Sequence, residues 1–164
     1  MSERHSIGSL IGKRLSYAKD VAKYKALYHQ AIEDIAQEKV VLKKALADAL
    51  TLGLDSETVR AFIQAQMDAA KAIQYRYRAD WLSVPDKEWQ PRALSEIRAQ
   101  ISQLSYAILQ TVAERLASGG ELTTDEEVRF LTDVQQPHLH QQDTQRLWHA
   151  LNAVALRRRC AGEK

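Results

Sequence analysis

Four helix-length stretches of this chain each carry polar residues inside an otherwise apolar stripe. In steps of three and four, the first runs Ile7, Ile11, Arg14, Ala18, Val21, Lys25, Tyr28. The second runs Ile35, Glu38, Leu42, Ala45, Ala49, Leu52, and the third Val59, Ile63, Gln66, Ala70, Gln74, Tyr77. The fourth runs Leu94, Arg98, Ile101, Ser105, Ile108, Val112. Residues at such steps share one helix face. A charge on a core-facing stripe is costly unless it is paired or meets a ligand. Arg14, Lys25 and Arg98 against Glu38 leave roughly two uncompensated positive charges inside. The simplest guest is a small dianion.

The rest of the chain supports a helical reading. Its 164 residues are 45% hydrophobic and 27% charged, enough for one domain with a real core. Only three prolines and six glycines interrupt it, and no run of alternating β-branched residues suggests a sheet. The expectation is an all-α, single-domain bundle of about six helices spanning 1–164. Residues 7–112 carry the motifs, and 113–164 form a helical C-terminal extension.

Punctuation predicts the helices. The first is expected from Ser6 to Gln30. The second opens at Glu33-Asp34 and ends near Leu52, before Gly53. Asp55-Ser56-Glu57 starts the third, which runs to about Leu82, where Ser83-Val84-Pro85-Asp86 breaks it. The fourth runs from about Arg92 to Ser118, closed by Gly119-Gly120. Thr123-Thr124-Asp125-Glu126-Glu127 caps a shorter fifth that ends by Pro137. The last is expected from Gln142 to Arg159.

Charge and composition exclude several functions. A net charge of +2 gives no basic face for nucleic acid, and Arg157-Arg158-Arg159 reads as a solvated helix end. Cys160 stands alone, so no intrachain disulfide forms. No stretch is apolar and long enough to cross a bilayer. Met1-Ser2-Glu3-Arg4-His5 lacks the apolar core of a secretory leader, which leaves a cytoplasmic place or a removed leader open. His138, His140 and His149 lack a supporting carboxylate or cysteine pattern, so a solvated loop is expected and no metal. No nucleophile elbow or Gly-rich phosphate loop is present. Trp81, Trp89 and Trp148 read as packing anchors.

The polar positions suggest roles. Arg14 and Lys25 are eleven residues apart, about 16 Å along one continuous helix. Arg suits a carboxylate because its planar fork meets both oxygens. Taken singly, either cation also fits snorkelling to water. Glu38 suits a ligand hydroxyl or an ion pair with Lys25 or Lys39. The Gln74 amide suits an ether or carbonyl oxygen, or a place as a satisfied core amide, which is how Gln66 reads.

Several stretches together resemble the all-helical chorismate mutases. They are Arg14-Leu15, Val21-Ala22-Lys23-Tyr24-Lys25, Ile32-Glu33-Asp34 with Glu38, Gly53-Leu54-Asp55, Val59, Phe62-Ile63, Gln66-Met67 and Ala70-Lys71-Ala72-Ile73-Gln74. Asp80-Trp81 and Arg98 with Ile101 and Leu104 resemble the exported, or gamma, subclass. The match is dense from Arg14 to Leu109.

The resemblance implies an isomerase that rearranges chorismate to prephenate in a site built by one chain, without cofactor or metal. Arg14 and Arg98 would clamp the carboxylates. Lys25 and Gln74 would reach the ether oxygen, and Glu38 with the backbone near Asp34 the ring hydroxyl. Gln37 stands where the family usually has arginine, Ala70 where it often has a small hydroxyl residue, and Ala31 where the exported type commonly has proline. The last change would let the first helix run on into the second. The Gln37 and Ala70 changes keep open a mutase-like binding or interaction protein with weakened catalysis, and Gln37 an isochorismate–pyruvate lyase. The resemblance also implies a role in aromatic amino-acid chemistry, a periplasmic or secreted location and a homodimer.

Overall fold

Capping residues set where most helices begin. In the computed structural model, residues 6–87, 90–120 and 122–158 are described. The helices among them are α1 (Ile7–Ser16), α2 (Ala18–Leu27), α3 (Ile35–Thr51), α4 (Ser56–Ser83), α5 (Leu94–Ala117), α6 (Thr124–Asp133) and α7 (Gln141–Ala153). The side chains of Ser6, Asp34, Asp55 and Thr123 each accept a bond from a backbone N–H in the first turn that follows. The only β-pairing among the described residues is an isolated antiparallel bridge, Leu54 to Leu156. The all-α expectation therefore holds.

The first helix differs from the expected single rod. It breaks at Tyr17, whose N–H reaches back three residues to the Arg14 carbonyl at 3.3 Å, a tightened turn from which α2 restarts. Counted as one bent helix, α1 and α2 restore the expected six. The 16 Å rise between Arg14 and Lys25 therefore does not describe one straight helix. Nor does α2 run on into α3 through Ala31. Residues 28–34 leave the helix, with His29 in the left-handed region at φ 54° and the Gln30 N–H turned back to the Lys25 carbonyl at 2.7 Å.

α4, 28 residues long, is the central post, and α1, α2, α3 and α7 all pack on it. α5 packs on α1, α2 and α3 and so closes a space opposite α4. One apolar core joins these elements. Ile11 and Leu15 of α1, Phe62 and Ile63 of α4, Ile108 of α5 and Leu147 of α7 are almost fully buried in it. Burying each such side chain contributes about 1.5–3 kcal/mol. The last two helices thus complete the core beneath the motif-bearing region. Trp148 joins it against Phe130, 5.4 Å between ring centres, as an anchor should. Trp81 is only partly buried and stacks on Tyr77 at 5.5 Å. Trp89, Arg159 and Cys160 lie outside the described residues.

Three further expectations change. α7 stops at Ala153, and the chain then runs extended across the α3–α4 turn. There the Ala155 carbonyl accepts from the Asp55 N–H and the Gly53 carbonyl from the Arg157 N–H, each at 2.8 Å. Arg157 and Arg158 are exposed as expected, but on this extended segment, not at a helix end. Gln66 is buried, yet neither its amide oxygen nor its nitrogen has a partner among the described residues, so it is not the satisfied amide expected. His138 is not a solvated loop residue. Its ring sits edge-on to Tyr77 at 4.4 Å and its Nε2 lies 2.8 Å from Asp80.

Small residues let α6 lie against α1. A Cβ on Gly8 would stand 3.0 Å from the Asp133 Cβ and 3.2 Å from the Phe130 Cα, and one on Gly12 3.1 Å from the Asp133 carbonyl oxygen. Ser6 Oγ donates to Asp133 across the same seam at 2.8 Å. Gly8→Val should therefore push α6 away and cost about 1–3 kcal/mol. Urea unfolding at wild-type midpoint and slope would show that the close approach is not required.

Candidate active site

Burying two cations in one cavity needs scaffolding, and the four stripes supply it. Arg14 lies in the last turn of α1, Lys25 in the last turn of α2, Glu38 in the first turn of α3, Gln74 about two thirds of the way along α4 and Arg98 one turn into α5. Where these helices meet is a cavity of about 200 Å³. All eight residues singled out from sequence line it: Arg14, Lys25, Asp34, Gln37, Glu38, Ala70, Gln74 and Arg98. Apolar walls come from Val21, Ile32, Val41, Met67, Ile101 and Leu109.

Each cation is held. Arg14 is only 5% exposed, and its Nε donates to Ser105 Oγ of α5 at 3.0 Å. Burial lowers its pKa from the ordinary guanidinium range to about 10, so it remains a cation at neutral pH. Lys25 is equally buried and donates from Nζ to the Ile32 carbonyl at 2.7 Å, one of three ammonium donors. Burial first, then repulsion from Arg98, lowers its pKa, while Asp34 and Glu38 oppose the fall. Arg98 is more exposed, with Nη2 3.5 Å from Asp34 Oδ2. Asp34 also caps α3, since its Oδ1 accepts from the Gln37 N–H at 3.0 Å. One carboxylate thus ties the start of α3 to the cation of α5.

The polar neutral groups are poised differently. Gln74 is buried, and its amide oxygen has no partner among the described residues. That oxygen is an acceptor open to a water or a guest's hydroxyl, and the amide's NH2 is the end that can donate. Ala70, one turn before it, leaves that part of the wall without a hydroxyl.

The sequence reading missed several lining residues. Glu38 pairs with Lys71 of α4, Oε1 to Nζ at 2.9 Å, a partner other than the Lys25 or Lys39 of the alternative ion-pair reading. Lys44 and Asp48 of α3 also line the cavity and pair with each other at 2.8 Å. Ser105 lies on the fourth stripe, but its bond to Arg14 had no sequence signal. Counting all of them, the wall carries five cations (Arg14, Lys25, Lys44, Lys71, Arg98) and three carboxylates (Asp34, Glu38, Asp48). The surplus is again two positive charges, on a fuller set than the stripes alone predict. No group of three or more His, Cys, Asp or Glu side chains among the described residues is placed to hold a metal ion.

The interior of this helical bundle thus presents two guanidiniums, a buried ammonium and a buried amide, a positive balance that a small dianion would meet. Comparison with known proteins is specific. Residues 5–75 match the family model for chorismate mutase type II. The chain is 45% identical over 148 residues to a secreted chorismate mutase from Yersinia pestis, covering 90% of this chain and 80% of that one. It is 41% identical over 149 residues to a monofunctional chorismate mutase from Enterobacter agglomerans, covering 91% and 82%. The crystal structure of the secreted chorismate mutase from Yersinia pestis superposes with a TM-score of 0.86 at 44% identity, over 92% of this chain and 97% of that one. The chain belongs to the chorismate mutase family.

Ser105→Ala should leave the Arg14 Nε–H buried without its acceptor and destabilise the fold by about 1–3 kcal/mol. Denaturant unfolding reads the loss directly. An unchanged midpoint would mean that Ser105 does not hold Arg14.

Proposed function

We propose that this chain is a chorismate mutase and that the cavity between α1–α2, α3, α4 and α5 is its complete active site. The observation that carries the reading is the surplus of two positive charges in an apolar-walled cavity, matched to the two carboxylates of chorismate. Membership of the family, with relatives named as chorismate mutases at 41–45% identity, supports the substrate.

The reaction is an intramolecular [3,3] shift. One C–O bond breaks as one C–C bond forms within the same molecule, so no nucleophile, proton donor or metal is needed. What a protein supplies is folding of the enolpyruvyl arm over the ring, plus donors where charge grows on the departing ether oxygen. Arg14 and Arg98, on helices that meet across the cavity, clamp the two carboxylates. This holds the substrate in the folded conformer. Arg98 exchanges its 3.5 Å contact with Asp34 for the substrate. Lys25 and Gln74 donate to the ether oxygen. The Lys25 ammonium contributes most, because a buried charge acts in a low-dielectric site and is already fixed by Ile32. Glu38 and the Asp34–Ile35 segment take the ring hydroxyl. Gln37 replaces a guanidinium by an amide at the wall, and Ala70 leaves Gln74 without a neighbouring hydroxyl. These changes reduce the number of donors and leave the clamp and the ether-oxygen donors in place.

Location and assembly follow the relatives. The Yersinia pestis protein is described as secreted, and export of this chain is the reading that goes with it. Among the described residues no helix is long and apolar enough to cross a membrane. A homodimer is the assembly that the family resemblance suggests.

Chorismate consumption by the purified protein, with the product identified by chromatography, tests the reading. Prephenate should form far above the uncatalysed rate. Lys25→Ala should lower kcat by about 10²–10³-fold with the helical circular dichroism unchanged, the scale of losing one such donor. Normal turnover in that variant, or no prephenate from the wild type, would sink the assignment.

The Lys25 ammonium must stay protonated, and its pKa is lowered from the ordinary 10.5. The kcat/KM of the free protein should therefore fall as pH rises, with a midpoint below 10.5, a limb to which Arg14, lowered to about 10, also contributes. In kcat the midpoint should move up, since a bound dianion favours the cation. A kcat/KM limb at or above the ordinary lysine value would contradict this role.

A further inference from the structure

Lys71 and Lys44 are the two lining cations to which neither the stripes nor the family resemblance gives a role; Lys44 pairs with Asp48 of its own helix at 2.8 Å, whereas Lys71 reaches across to α3. Lys71 follows Ala70 and precedes Gln74 by three residues, which puts it beside the donor stripe of α4. Its Nζ lies 2.9 Å from Glu38 Oε1, with Glu33 at 3.7 Å and Asp68 at 3.6 Å. Those carboxylates come from two directions. Glu33 and Glu38 flank the start of α3, while Asp68 is one turn back on α4. Asp68 is fixed in turn by Gln64 at 2.9 Å and Arg146 at 2.6 Å. The ammonium is therefore anchored, not a waving surface charge. Its side chain is 21% exposed and that of Glu38 22%, a half-sheltered pair on the cavity wall.

Two consequences follow. The first is geometric: Lys71 holds one oxygen of Glu38, which leaves the other to accept from a guest. The second is electrostatic. Among the lining residues the surplus is two positive charges with Lys71 and one without it, short of a dianion; Glu33 and Asp68, which also face Lys71, are not lining residues, and Asp68 is shared with Arg146. Gln37, uncharged on the same wall, offers no substitute.

We infer that Lys71 is a positioning residue of the substrate site: it fixes and neutralises Glu38 across the α3–α4 seam and completes the positive surplus that a dicarboxylate requires. The inference rests on the mutase reading and adds a residue to it. Lys71 acts through Glu38 in ground and transition states alike, so its removal should appear in KM more than in kcat.

Steady-state kinetics on chorismate should be measured for wild type, Lys71→Met, Lys71→Arg, Glu38→Gln and the double variant Glu38→Gln/Lys71→Met. Calorimetry on the same proteins should use a bicyclic ether dicarboxylate shaped like the folded substrate. Losing a charge-assisted bond of this kind predicts a KM and Kd about 10–100-fold higher in Lys71→Met, with kcat within a few-fold. Lys71→Arg should recover most of the affinity. The double variant should bind the dicarboxylate more tightly than Lys71→Met alone, because removing the carboxylate charge restores the surplus.

Wild-type KM and Kd in Lys71→Met, or losses that simply add in the double variant, would overturn the proposal. A wild type that turns over no chorismate would fail the mutase reading separately, and the calorimetric series would still decide whether Lys71 sets dianion binding. Should Lys71→Met not fold, the Lys71→Arg and Glu38→Gln proteins carry the test, with wild-type-like Kd in Lys71→Arg and altered Kd in Glu38→Gln expected. Loss in Lys71→Arg equal to that of an unpaired Glu38, or unaltered Kd in Glu38→Gln, would then overturn it.

Discussion

Two cations, Arg14 and Lys25, are almost wholly buried within one cavity, and the rest of the structure is arranged around that cost. An isolated charge in a low-dielectric interior is heavily disfavoured, and burial lowers the pKa of both groups. What keeps them in place is a set of partial compensations. Ser105 accepts from Arg14, the Ile32 carbonyl accepts from Lys25, and Asp34 and Glu38 lie near enough to favour the charged ammonium. None of these neutralises the surplus. The fold thus carries a charge penalty that the dianionic guest proposed for this cavity would relieve.

The scaffold serves that arrangement. α4 packs on α1, α2, α3 and α7, and α5 closes over the opposite side, so a polar side chain on either meets those on α1–α2 and α3 in one interior space. The break at Tyr17 lets Arg14 and Lys25 stand in the last turns of two separate short helices, and the loop at 28–34 brings the Ile32 carbonyl back onto Lys25. Asp34 joins backbone to function, since the carboxylate that starts α3 also restrains Arg98. The C-terminal helices contribute no lining residue to the cavity. They contribute core, through Phe130, Leu147 and Trp148, and the extended segment after α7 pins the α3–α4 turn.

Much of this was legible in sequence because periodicity marks a helix face without reference to what the face meets. Arg14, Glu38, Gln74 and Arg98 stand on stripes, and all line the cavity. Caps were legible for the same local reason: Asp34, Asp55 and Thr123 bond within three residues of themselves. Lys71 was not legible, because it stands one position off its stripe and its role depends on how α3 crosses α4. Ser105 stands on a stripe, but only the packing of α1 on α5 makes it the acceptor for Arg14. The break at Tyr17 and the early stop of α7 are likewise set by tertiary packing, against sequences whose residues would tolerate continued helix. Gln66 shows the opposite failure. A buried amide was foreseen, but whether it finds a partner depends on contacts that no spacing encodes.

The central claim is that a surplus of two positive charges on the cavity wall selects a dianion. Calorimetry with the bicyclic ether dicarboxylate and with each of its two monomethyl esters tests it directly. The dicarboxylate should bind about 100-fold or more tightly than either ester, the scale of leaving one buried clamping charge without its partner. Equal affinities for the dianion and a monoester would contradict it, since the cavity would then be recognising shape alone.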